Sequence, residues 1–186
     1  MDQKAIDTIK NIFNKEKPTF EKDYLIIDKI ELIDNASLEE KYNACNIDNE
    51  QLLFHGTPLE NLINITTKGF DMSCAGKDMS GHIGKGLYFS DLICQSIYYQ
   101  LKYKYTGDET DFILIVCKVK LGRCAHMKRY GTTDIPKISN SDSHSTDYEQ
   151  GSHKGKEYCL FDSEQILPYC LLHMKRVKIS NIIFNI

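Results

Sequence analysis

Three side chains able to do polar chemistry stand beside apolar strands in this sequence. They are His55 in LLFHGT (residues 52–57), Tyr88 in GKGLYFSD (84–91) and Glu157 in GKEYCLFD (155–162). A histidine followed by a glycine and a threonine at the end of an apolar run brings a ring nitrogen, an open backbone and a hydroxyl to one point. A glutamate at the start of an apolar strand is an acceptor that can steady developing positive charge or take up a proton. Tyr88 adds a flat ring. Singly, each has an ordinary reading: a satisfied strand-end histidine, a glycine bend entering a strand, a solvent-facing carboxylate.

Several familiar chemistries are excluded by spacing. A phosphate loop needs G-x-x-x-x-G-K-[ST] between a strand and a helix, but Lys85 lies between two glycines and a strand-like run follows Gly86. A dinucleotide fingerprint fails for the same reason. His55 is far from any cysteine in a nucleophile context, so Cys-His proteolysis has no support. The pair in CAHM (124–127) has no second pair to complete a zinc site, and no metal is expected. The seven cysteines form no C-x-x-C pair, and several sit in apolar runs such as ILIVCKV, as reduced, buried thiols do.

The elements that must position these groups follow from composition and pattern. The 186 residues suffice for one domain, and a net charge of −3 leaves no basic footprint for bulk nucleic-acid binding. The N-terminal run mixes charges and lacks an apolar leader, and no stretch has the length of a membrane span, which predicts a soluble, intracellular protein. Ile6, Ile9, Ile12 and Phe13 fall at helical spacing over residues 2–16. Strands are expected at DYLIIDKIELI, QLLFHG, LYFS, DFILIVCKVKLG, KEYCLFD and ILPYCLLHMKRVKI, the fourth central in a sheet and the last at an edge or bent at Pro168. Helices are expected at ASLEEKYNAC, capped by Ser37 with Glu40 three residues on, at PLENLINITTKG between Pro58 and Gly69, and at DLICQSIYYQLKYKY. Phe70–Gly86 and residues 129–155 read as loops. The class is α+β.

Taken together and in this order, LFHGT, GKGLYFSD, Q-S-x-x-Y and KEYCLFDSEQILPYCLL resemble the catalytic domain of the poly(ADP-ribose) polymerase family. The resemblance takes in residues 23–175. It implies two small, strongly bent, mostly antiparallel sheets with flanking helices around an NAD cleft, with residues 1–22 as a helical extension to a single domain over 23–186. It further implies transfer of ADP-ribose from NAD to protein side chains, the chain itself included, with release of nicotinamide and no metal. Poly(ADP-ribose) synthesis is the first expectation. The alternatives are mono-ADP-ribosylation and a non-catalytic NAD- or ADP-ribose-binding module. A nucleic-acid acceptor is not favoured by the acidic balance, no membrane partner is implied, and the expected location is nuclear or cytoplasmic.

Residue by residue, the resemblance implies a His-Tyr-Glu triad of His55, Tyr88 and Glu157. His55 would bond the adenine-side ribose, with Thr57 beside it, and the Gly56 backbone would clamp the nicotinamide carboxamide. Tyr88 and Tyr99 would sandwich the nicotinamide ring, Ser96 would donate to its carboxamide oxygen, and Glu157 would accept from the nicotinamide-side ribose. Four positions depart from the family's common pattern. Gly81 and His82 precede GKG where bulky residues are frequent, which bears on chain elongation. Asp71 stands where some members carry an arginine, and Gln95 where a lysine often precedes the helix's serine. No long helical region precedes Tyr24, and a constitutively accessible cleft is expected.

Overall fold

A computed structural model describes residues 3–20, 23–76, 82–101, 109–128, 135–150 and 153–178. Its centre is β5 (Asp111–Lys120), whose apolar run serves two cores at once. Phe112, Leu114 and Val116 enter one cluster, while Ile115, Cys117 and Val119 enter the other. Period-two alternation puts successive side chains on opposite faces, so a strand covered on both sides must be apolar throughout.

Around β5 the described residues form a mixed sheet of nine strands: β1 (Thr19–Phe20), β2 (Asp23–Leu32), β9 (Ile166–Val177), β5, β3 (Glu50–His55), β4 (Leu87–Ser90), β8 (His153–Leu160), β7 (Ser143–Gln150) and β6 (Cys124–His126), in that spatial order. All neighbours are antiparallel except β6 and β7. The sheet behaves as two leaves. Whereas β3 pairs with β5 over six positions, it meets β4 only at Phe54↔Ser90. The two expected sheets are therefore leaves of one continuous sheet, hinged at a single pair, and the strands splay beyond it.

Among the described residues, four α-helices complete the α+β architecture: α1 (Gln3–Glu16), α2 (Ala36–Ala44), α3 (Leu62–Lys68) and α4 (Ile93–Leu101). Ile9 and Phe13 of α1 and Ile93 and Ile97 of α4 share a core with Phe54, Phe112 and Leu172. The N-terminal helix is thus built into the domain's own core. Leu62 of α3 packs on the other face with Phe70, Phe89 and Leu160. Glu16, at the end of α1, accepts from the first two amides of α4, Ile93 N–H and Cys94 N–H, both at 2.7 Å. Those donors have no partner within their own helix, and a carboxylate also suits the positive end of its dipole.

Two sequence expectations change. Residues 129–155 are not one loop, because β7 and the start of β8 lie inside that span; residues 129–134 and 151–152 fall outside the described residues. The α2 cap is Asn35, whose Oδ1 accepts from Leu38 N–H at 3.2 Å, rather than Ser37. The expectation for Pro168 holds: the β2–β9 register ends at Leu32↔Cys170, so Pro168 pairs with β5 alone, and the β5–β9 register shifts where it faces Cys117, so a bulge absorbs the missing donor. The expected continuation of α4 through Tyr105 lies partly outside the described residues.

Candidate active site

The cleft opens where β3 and β4 part. His55 ends β3 one residue beyond the last β3–β4 pair, and its Nδ1 lies 2.8 Å from the Tyr88 carbonyl. The imidazole thereby supplies a bond across the seam that the ladder no longer makes. Because a carbonyl only accepts, Nδ1 carries the proton and Nε2 is left as an acceptor. The ring packs edge-on to Phe70, with centroids 4.9 Å apart, and tilted against Phe89 at 5.2 Å. This burial pushes the histidine from its ordinary 6.5 down to about 4, so the ring is neutral near pH 7.

A group depressed in the folded state stabilises the fold above its unfolded value and loses that contribution as pH falls through the folded value. Wild-type protein should therefore lose thermal stability between pH 6.5 and about 4 faster than His55→Gln, which keeps a side-chain donor but does not titrate. Melting temperatures of the two proteins across that range check this. Parallel curves would refute it, and the comparison cancels His144, whose pKa burial also lowers.

Tyr88 is fixed at its far end. Its hydroxyl donates to Gly84 O at 2.7 Å and accepts from Ile83 N–H at 3.0 Å, which sets the ring plane against the cleft. Burial raises its pKa, keeping the phenol neutral. The glycine before this strand is required by contact: a Cβ on Gly86 would strike the Leu160 carbonyl and the Cys159 sulfur of β8. Behind it, buried His144 bridges Ile83 O at 2.7 Å and Ile138 N–H at 2.9 Å, tying this loop to residues 135–138.

Glu157 reaches the site through register. It pairs with Ser90 on β4 and is 1% exposed. Its Oε1 accepts from Tyr99 O–H at 2.8 Å and from Gln95 Nε2 at 3.0 Å, both on α4. Tyr99, expected as a stacking ring, thus also orients the carboxylate. Ser96, 2% exposed, donates to Leu92 O at 3.2 Å within its own helix, a bond it must leave to reach a ligand. Thr57 accepts from Asn61 Nδ2 at 3.0 Å, so its own proton remains to be donated.

His55, Gly56, Thr57, Tyr88, Ser96, Tyr99 and Glu157 all line one cavity of about 620 Å³, within the usual range for small-molecule sites. Sequence reasoning noted Gln95 only as a departure and missed Asn61 and Lys68. Lys68 is the one lysine or arginine among the described residues that line the cavity, and its place at the last turn of α3 gave no signal. The chemistry of the set suits a dinucleotide. A neutral imidazole acceptor and a buried carboxylate fit ribose hydroxyls, tyrosine rings fit a flat base, and a lysine fits a diphosphate.

Among the described residues, Glu16, Cys94 and His153 hold ligand-type atoms within 4.8 Å of one another. Both Glu16 oxygens already take amides of α4, whose positive end opposes a cation there. Glu16 thus serves as the cap of α4.

Comparison with known proteins identifies the family of the chain. The poly(ADP-ribose) polymerase catalytic domain matches residues 3–146. A mouse protein named protein mono-ADP-ribosyltransferase PARP4 is 31% identical over 137 residues, covering 64% of this chain and 6% of that protein. The rice protein named poly [ADP-ribose] polymerase 1 is 28% identical over 131 residues, covering 68% of this chain and 13% of that protein. The chain thus spans only a small part of the length of these relatives. Glu157 lies beyond the family match, and it is the β4–β8 pairing that brings it beside Tyr99. With most of its length matched and the α+β fold of an ADP-ribosyltransferase, this chain belongs to the poly(ADP-ribose) polymerase catalytic domain family.

Proposed function

We propose that this chain transfers ADP-ribose from NAD to protein side chains, itself among them, and releases nicotinamide. The observation that carries the reading is the buried Glu157 carboxylate, held by Tyr99 in a cavity that His55 and Tyr88 also line. The bond between the ribose anomeric carbon and the nicotinamide nitrogen breaks, and its electron pair leaves with neutral nicotinamide. Positive charge gathers on the ribose, and an acceptor oxygen or nitrogen attacks the anomeric carbon and gives up its proton.

Glu157 accepts from the ribose 2′-hydroxyl and stabilises that charge. Tyr88 and Tyr99 hold the departing ring, and the Gly56 backbone and Ser96 hold its carboxamide in line. His55 Nε2 accepts from the adenine-side ribose with Thr57 beside it, and Lys68 faces the diphosphate. No metal takes part in this scheme. The seven thiols form no disulfide, which supports a nuclear or cytoplasmic setting.

The triad supports polymer synthesis as the first product, with single-unit transfer the alternative that one relative's name bears. Incubation with labelled NAD and resolution of the products on a gel tests this. A ladder identifies polymer, and a discrete band identifies single transfer. Absence of any released nicotinamide would leave only a binding module and end the enzyme reading.

A further inference from the structure

His144, on β7, is 0% exposed, and both of its ring nitrogens are engaged. Nδ1 lies 2.7 Å from Ile83 O, and Nε2 accepts from Ile138 N–H at 2.9 Å. A carbonyl only accepts and a backbone amide only donates, so Nδ1 carries the proton, Nε2 does not, and the ring is neutral. Burial lowers its pKa and favours that same form. The carbonyl it holds belongs to the loop that fixes Tyr88. Ile83, itself buried, gives its N–H to the Tyr88 hydroxyl at 3.0 Å, and that hydroxyl donates to Gly84 O at 2.7 Å. Two peptides of the loop thus clasp the phenol, and the imidazole holds the peptide between them. Gly84 leaves this loop little room: at its φ of 132° a Cβ would meet the Phe161 ring at 3.0 Å, and that ring packs edge-on to His144 with centroids 4.7 Å apart.

We propose that His144 is a positioning residue, which sets the plane of the Tyr88 ring through the Ile83 carbonyl. The proposal rests on the reading of Tyr88 as a wall for the departing nicotinamide. His144 is not among the residues that line the cavity, so whatever it does for a bound molecule passes through that ring. An imidazole suits the task because it joins one acceptor and one donor, at residues 83 and 138, on a single rigid frame. The two bonds can be separated by substitution. The asparagine amide stands as many bonds from Cβ as Nδ1 does, and the glutamine amide as many as Nε2. His144→Asn therefore keeps a donor for Ile83 O and gives up Ile138 N–H, while His144→Gln keeps an acceptor for Ile138 N–H and gives up Ile83 O.

The test measures nicotinamide release from NAD by wild type, both variants, Tyr88→Phe and the double variant Tyr88→Phe/His144→Gln. His144→Gln should raise KM roughly threefold to tenfold, the worth of one hydrogen bond, with kcat within about twofold, because a ring stacked on bound and departing nicotinamide alike gives uniform binding. His144→Asn should stay within about twofold of wild type in both. Tyr88→Phe keeps the ring, loses the clasped hydroxyl and should raise KM by a similar margin, and His144→Gln added to it should raise KM no further. Wild-type KM in His144→Gln, an equal rise in His144→Asn, or full additivity in the double variant would overturn the proposal. Should His144→Gln not fold, His144→Ala, which gives up both bonds, carries the same expectation against His144→Asn. Should wild type release no nicotinamide, the transferase reading falls, and amide hydrogen exchange decides this proposal by itself. Ile83 N–H, which the Tyr88 hydroxyl holds, should exchange roughly tenfold faster in His144→Gln than in wild type or His144→Asn, and equal rates would overturn it.

Discussion

Glu157→Gln should lower the rate of nicotinamide release by about 10²–10³-fold, the loss typical of removing one electrostatic group aimed at developing charge, while the fold holds or gains stability. The substitution isolates charge from shape. A glutamine at this position keeps an oxygen that can accept from Tyr99 and Gln95, the two donors that now converge on Oε1. What it lacks is the negative charge needed opposite a ribose turning cationic. Burying an ionised carboxylate at 1% exposure is costly, so removing the charge relieves the native state. KM for NAD should change little, since the lost interaction strengthens only as the glycosidic bond breaks. Steady-state kinetics and a thermal melt on the same preparations check both halves. A variant retaining more than a tenth of wild-type kcat would remove Glu157 from its assigned role.

The contrast between falling activity and unaltered stability also separates Glu157 from its strand neighbours. Tyr158, Cys159 and Leu160 follow it on β8 and are buried in the ordinary apolar way. The sequence pattern identified that strand by these residues and read Glu157 at its start as an edge carboxylate. Only the ordered set of motifs pointed to a site. The reason is geometric: the partners of Glu157 are on α4, about sixty residues earlier, and on β4, and no local rule links them.

The rest of the fold was readable to the degree that burial was apolar. β5 and β9 declare themselves because their cores are hydrophobic. β7 does not, because its first half, buried on both faces, is made of Ser143, His144, Ser145 and Thr146, each no more than 3% exposed. Ser143 meets its polarity by donating to Leu121 O at 2.6 Å, and His144 by bridging two loop segments. A hydropathy pattern sees such a strand as a loop, since satisfied hydrogen bonds replace the apolar signal. The α2 cap differs for a related reason. Ser37 fits the capping-box spacing, but Asn35 also donates to Thr66 O and Thr67 O of α3, contacts invisible to a four-residue motif. Gln95 illustrates the same limit at the site: its identity was plain, and its place beside Glu157 came only from the bond it makes there.

Gly56→Ala should both destabilise the protein and weaken its hold on NAD, through one contact. A Cβ at this position would fall on the Ser96 carbonyl oxygen, with Ser96 C at 2.7 Å and Gln100 N at 3.0 Å. These are backbone atoms of α4, so no rotamer change relieves the clash, and β3 and α4 must move apart. Overpacking of this kind costs on the order of 1–3 kcal/mol. The same displacement shifts His55 on one side and Ser96 and Tyr99 on the other, widening the cavity where the carboxamide and both riboses would be held. KM should rise along with the loss of kcat, unlike the pattern for Glu157→Gln, because ground-state binding and reaction geometry fail together. Gly122→Ala provides the comparison. Its φ of 56° strains any L side chain, and the group its Cβ would press is the Asp142 side chain, away from the residues that line the cavity. That variant should lose stability while keeping KM for NAD. If Gly56→Ala matches it in KM, close approach of α4 to β3 is not what shapes the cleft.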